Sequence, residues 1–368
     1  MNRLILIGNG FDLAHGLATQ YRDFMQDYIF NSFGVALVHS YYNDDLIAIE
    51  RKSYVTDFGL YWQDGLREYL DYFSNTNFLP LLRNMPNDQD GHPLPLHFKV
   101  TVKTPFLEHI LINCKPGLWV DIENEFYSQL KAILNNQNGE EKISKLKGLN
   151  FALGKIIEKL EHYLSNLPQP PMIDRYQVLF HSDIKENEVP FETLEQDSPP
   201  EQTYIVNFNY TDTINQYFSE RTNPDVHINY IHGKLNDPAN RLIFGFGDEL
   251  DEDYGRMEKE RIKGYFEYIK SFWYFKTRHY RDLIRFIDGK AFQVYIMGHS
   301  CGLSDRTMLN MIFEHKNCVS IKIFYHQDGD SNNYFDLTQE IARHFSNKEM
   351  MRRKIVSEDL SEPMPQHK

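Results

Sequence analysis

The chain has 368 residues, 25% of them charged and 14% aromatic, a composition that describes a folded protein with a substantial core. Its 52 acidic residues outnumber 39 lysines and arginines, and the resulting charge of −13 argues against a nucleic-acid surface, where phosphate neutralisation supplies most of the affinity. Three cysteines without a CxxC pair exclude a zinc ribbon and argue against a disulfide framework, and no stretch approaches a membrane span, so a reducing cytoplasm is the expected setting.

In chain order, Leu4 to Ile7 is a short unbroken apolar run, right for a strand buried on both faces of a parallel sheet. Gly8-Asn9-Gly10 then forces a tight turn, and Asp12 is placed to cap the helix that follows. Strand, glycine turn and helix start is an arrangement that receives phosphate, and it also serves as a plain βα turn. His15 lies in the next connection, facing either a ligand or solvent. Tyr21, Phe24 and Tyr28 predict a helix over 19–30.

Residues 35–202 read as mostly helical. Tyr61, Trp62, Leu66, Tyr69, Leu70 and Phe73 mark one amphipathic helix, 80–105 is a Pro-containing connection, a second helix begins near Trp119, and 143–167 is a third. Asp121 and Glu125 share a helix face, suited to acid–base or metal work and equally to complementing a helix dipole.

The sheet then resumes. Strands are expected at 203–206, 226–231, 242–244, 292–297 and 319–325. Helices are expected at 213–220, 254–287, 303–313 and 335–345, and from residue 350 a charged, frayed tail. Four times an apolar strand stops in glycine or small polar residues: at Gly8, Asn207, His232 and Gly298. In a parallel sheet all four stops lie on one edge and converge on one crevice. Asn9, Asn209, His232 and Ser300 bring amide, imidazole and hydroxyl groups there, a set that suits a nucleotide. No Walker lysine is present. The GHSCG stretch admits a nucleophile-elbow reading, with Ser300 as nucleophile and Asp328 or Asp330 with His344 as partners. Gly247-Asp248-Glu249, or Asp121 with Glu125, admits a magnesium-dependent nuclease.

The stretches GNGFDLAHG at Gly8, WVDIE at Trp119, NFNYT at Asn207, IHGKL at Ile231 and GHSCGLSD at Gly298 resemble, in this order, the motifs of the phage abortive-infection AbiH family. More distantly they are similar to the SIR2-like (sirtuin-type) NAD-binding fold. That resemblance implies an α/β, Rossmann-like parallel sheet over 1–34 and 203–348. A large, mostly helical insertion over 35–202 and a charged tail over 349–368 complete the expected division.

It further implies an antiphage effector that binds and hydrolyses NAD, with Asn209 and His232 as the catalytic pair. Gly8, Asn9, Gly10, Gly298 and Ser300 would hold the dinucleotide, with Phe11, Asp12, Asn207, Tyr210, Asp212, His299, Ser304 and Asp305 around it. Thr211 stands where many SIR2-like proteins carry Asp. The zinc cysteines of deacetylating sirtuins are absent, so neither zinc nor any other metal is expected. The expected partners are a nucleotide, a phage-derived trigger and a second copy of the chain, with neither nucleic acid nor membrane among them. A nucleotide sensor without chemistry is the alternative.

Overall fold

The structure, a computed structural model, describes residues 1–52, 98–113, 122–190, 193–218 and 225–367. The helix expected around Tyr61 and the residues Cys114, Trp119 and Asp121 lie outside them. The described chain forms two compact units, one of residues 1–19, 164–255 and 269–368, the other of 20–163 and 256–268. The second unit thus differs from the expected insertion at both ends and takes in a distant segment.

The first unit is built on a six-stranded parallel sheet of β1 (Asn2–Ile7), β2 (Thr203–Asn207), β3 (Val226–Tyr230), β4 (Phe292–Met297), β5 (Cys318–Tyr325) and β6 (Glu362–Pro363), in the spatial order β6-β5-β4-β1-β2-β3. β1 sits in the middle and is buried throughout. Its alternate residues feed two cores: Leu4 and Leu6 pack with Val206, Val294 and Ile296 on one face, while Ile5 and Ile7 pack with Ile205, Tyr295 and Met297 on the other. That is why Leu4 to Ile7 is apolar at every position. In register, Ile7 pairs with Asn207 and with Met297, and Asn207 pairs with Tyr230. The residues after β1, β2, β3 and β4 therefore leave the sheet at one edge, as the strand stops predicted. Strand order reverses between β1 and β4, the place where open α/β sheets form their crevice.

Three expectations for the chain between β2 and β4 are corrected. Residues 242–244 form no strand, because Gly233 (φ 91°) folds the chain back at once and Ile243 N–H donates to the His232 carbonyl (2.7 Å). The helix expected over 254–287 is broken into Glu252–Glu260, Lys270–Trp273, His279–Gly289 and short 3₁₀ turns, with Arg261 in the left-handed region (φ 56°). The described part of 213–220 is a single 3₁₀ turn, Thr213–Tyr217.

The tail is not frayed. After the helix Lys348–Lys354, β6 pairs with the edge strand β5, Met364 is buried, Tyr176 Oη donates to the Pro365 carbonyl (2.8 Å), and His367 N–H donates to the Ala14 carbonyl (2.7 Å). Covering β5 removes an exposed sheet edge. Deleting 362–368 is expected to destabilise the protein by roughly 2–3 kcal/mol, close to the burial of one methionine, and to promote association through β5. Thermal melting with light scattering measures both, and an unchanged melt rejects the assignment.

The second unit contains the helices Tyr21–His39, Pro105–Asn113, Ile122–Leu134 and most of Gly139–Ser165. It also contains a three-stranded antiparallel sheet, Tyr41–Asn43, Ile47–Arg51 and Phe98–Val102, which the helical reading of this region missed. Of these three strands only Ile47, Ile49 and Val100 are buried, too few apolar positions to stand out in sequence. The helix from Tyr21 is opened by a reciprocal Gln20/Asp23 capping box and runs nine residues past its expected end. Among the described residues, no helix is long and apolar enough to cross a membrane.

Candidate functional site

At the reversal point the turns after β1 and β4 lie directly against each other. Gly8 N–H donates to the Met297 carbonyl (3.1 Å) and Gly10 N–H to the Gly298 carbonyl (2.8 Å). A Cβ on Gly8 would stand 2.5 Å from His299 Cα, and one on Gly10 2.8 Å from Gly298 Cα. Gly298, at φ 72°, would put its own Cβ 2.2 Å from the Phe11 nitrogen. These glycines are thus required by backbone packing, whatever else they contact. The turn after β2 hangs on the same place: Asn209 Nδ2 donates to the Gly8 carbonyl (3.0 Å), and Asn207 Oδ1 accepts from the Asn209 N–H (3.1 Å).

Beside this floor is a buried charged cluster. Asp305 Oδ1 lies 3.1 Å from His232 Nε2 and 3.0 Å from Lys270 Nζ, and its Oδ2 lies 3.8 Å from His299 Nε2. Lys270 is 1% exposed and His232 5%. Burial alone would raise the Asp305 carboxyl, but Lys270 and then His232 outweigh it and hold the group well below the usual carboxylate range. Burial pushes the His299 imidazole down to about 4, against the pull of Asp305. Tyr274 Oη reaches His232 Nε2 (3.2 Å), and the Phe208 ring lies edge-on to both His232 and His299, with centroids 5.0 and 4.1 Å away. Gly8, His299, Asp305 and His232 therefore form an unbroken chain of contacts along the sheet edge.

The remaining candidates divide. Asp12 does not cap the first helix, which begins at Asn9 with Gly8 as its N-cap; it lies inside that helix, is 1% exposed, and its Oδ2 accepts from Thr211 Oγ1 (2.5 Å). Ser304 is buried beside Asp305, Ser300 is exposed, Asn9 is half-buried and Asp212 is exposed. Tyr210 donates its hydroxyl to the Ile243 carbonyl (3.2 Å). The ring of Phe11 packs on Tyr176 and Tyr217, away from the turn it follows, and His15 bonds Tyr217 Oη (2.6 Å) in the same core, which answers the loop question for that histidine.

The elbow reading loses its base: His344 is buried with Nε2 on the Cys301 carbonyl (2.7 Å), while Asp328 and Asp330 are exposed at a hairpin. Asp248 is paired with Arg306 (3.2 Å), and Glu125 accepts from Gln129 (2.8 Å). Among the described residues, no group of three or more His, Cys, Asp or Glu side chains is placed to hold a metal ion.

Lys270 and Tyr274 are the site residues that sequence reasoning missed. Both fall in a stretch read as one long helix. The usable signal was a lysine between Ile269 and the aromatic run from Phe272 to Phe275, a charge that burial obliges to find a carboxylate. A cavity of about 170 Å³ opens next to the edge, lined by Leu17, Pro168, Thr211, Asp212, Thr213 and Lys234 among others.

The chain matches no curated protein and no solved structure. Residues 4–327, which span every strand stop and every member of the charged cluster, match the family model described as bacteriophage abortive infection AbiH. The chain belongs to that family, and the role this implies for it is in abortive infection by phage.

Proposed function

We propose that this abortive-infection protein acts on an NAD-type dinucleotide, bound across the carboxyl edge of a Rossmann-like, SIR2-like sheet, and hydrolyses the bond between nicotinamide and ribose. The observation that carries the reading is the contact of His232 with Asp305 on the same edge where Asn209 is tied to the Gly8 turn. The strand order supports it, since it runs 3-2-1-4-5-6 as in dinucleotide-binding sheets.

In this reading Asp305 accepts the Nε2–H of His232, which fixes the tautomer and leaves Nδ1 as the base. The C1′–N bond breaks with its electron pair passing to the pyridinium nitrogen, so nicotinamide leaves neutral and positive charge develops on the ribose. Water adds to C1′, and its proton passes to His232. Asn209, whose Nδ2 is engaged by Gly8, keeps its Oδ1 to accept from that water or a ribose hydroxyl. ADP-ribose is the second product.

The test is turnover of NAD by purified protein, alone and with lysate of phage-infected cells. His232→Ala is expected to lower turnover at least about a hundredfold with NAD binding retained; equal turnover removes His232 from the reaction. A second reading, nucleotide sensing without chemistry, is favoured by the burial of His232 between Phe208, Tyr274 and Asp305. Tight binding of NAD without turnover in both conditions selects it.

A further inference from the structure

Among the described residues, Asp12 has no cationic side chain paired with its carboxylate. It is 1% exposed, the Thr211 hydroxyl donates to its Oδ2, and its Oδ1 has no hydrogen-bond partner among the described residues. The side chains of Asn209 and Thr213 also face it and favour its charged form. The charged or titratable neighbours that bear on it are Asp212, which repels it, and the Tyr230 hydroxyl, which carries no positive charge.

Burial is the dominant influence and raises the carboxyl to about 6. A side chain kept in this state costs stability at neutral pH, and groups held so are concentrated where a ligand supplies what the protein withholds. Its place is the first turn after β1, one hydroxyl away from the loop that carries Asn209.

We infer that Asp12 is the counter-charge of the crevice, kept without a cation so that the site selects a ligand bearing positive charge at the reacting ring. The inference rests on the dinucleotide reading above and sharpens it. NAD carries a cationic pyridinium, and cleavage moves that charge onto the ribose. NADH has the same two nucleotides with a neutral ring. Asp12 distinguishes the two by electrostatics that a buried, unneutralised carboxylate exerts at short range.

Two measurements test it on the full chain. First, Asp12→Asn removes the charge with little change of shape. A carboxyl raised in the folded state contributes its full stability below the unfolded value near 4 and loses it as pH rises through about 6. The variant is therefore expected to melt several degrees higher than the parent at pH 8, with the gap narrowing through pH 5 and closing only below about pH 4. A lower melting temperature at pH 8, or failure to fold, marks Asp12 as a structural residue and overturns the inference.

Second, calorimetry is done with NAD and with NADH. The parent is expected to bind NAD at least about tenfold more tightly, and Asp12→Asn to bind the two alike. Equal binding in the parent, an unchanged preference in the variant, or no binding of either form overturns it. Absence of turnover with the NAD preference intact removes only the hydrolysis reading and leaves the counter-charge in place.

Discussion

Gly298→Ala is expected to cost about 2–5 kcal/mol, a large share of the roughly 5–15 kcal/mol that holds an ordinary domain folded. The residue sits at φ 72°, where a side chain adds roughly 1–2 kcal/mol of backbone strain. The larger contribution is steric. The new Cβ would lie 2.2 Å from the Phe11 nitrogen and 2.9 Å from Gly10 Cα, and both are backbone atoms that move only if β1 and β4 part. Gly16→Ala is the control, because Gly16 has a similar φ of 81° and nothing within 4 Å of its Cβ position. It is expected to show the strain alone. Urea unfolding of the two variants separates the terms, and equal losses would show that the turns after β1 and β4 are not in contact.

Asp305→Ala is expected to destabilise by about 3–5 kcal/mol, because it leaves the Lys270 ammonium, 1% exposed, buried without its carboxylate. Lys270→Met is expected to cost less, since it removes a charge and keeps the volume, and Asp305 retains the neighbouring imidazoles. The double variant is the informative one. Removing Lys270 from Asp305→Ala takes away the stranded charge, so the double variant should be more stable than Asp305→Ala alone. Strictly additive losses in denaturant unfolding would reject the buried pair. Because His232 shares Oδ1 of Asp305 with Lys270, both single variants should also lower whatever turnover the parent shows.

Much of the sheet was readable from residue order because β1 and β4 are buried on both faces, which favours unbroken apolar runs such as Leu4 to Ile7, and because the backbones that follow them pack directly on each other, which forces glycine at Gly8 and Gly298. The same logic located the edge on which His232 and Asn209 stand. Elements whose order comes from contacts distant in sequence were less legible. Leu242 to Phe244 is apolar enough for a strand, yet the backward turn at Gly233 lays it across the end of β3. The last residues are polar and Pro-punctuated, yet β6 is held by the unpaired edge of β5, whose demand for a partner no local pattern encodes.

By itself the amino-acid order determined the alternation of strand and helix, the parallel sheet with its polar strand ends on one side, and the family to which the motifs belong. Those properties follow from local rules, the period of apolar residues and the backbone freedom of glycine. Which side chains answer one another at that edge was set by folding alone. Lys270, Asp305 and His232 come from three segments separated by tens of residues, and they share one carboxylate because a charge removed from water must meet its opposite wherever the chain brings them together. Asp12 is the exception that burial creates: the fold withdraws it from solvent and supplies a hydroxyl where a cation would be expected.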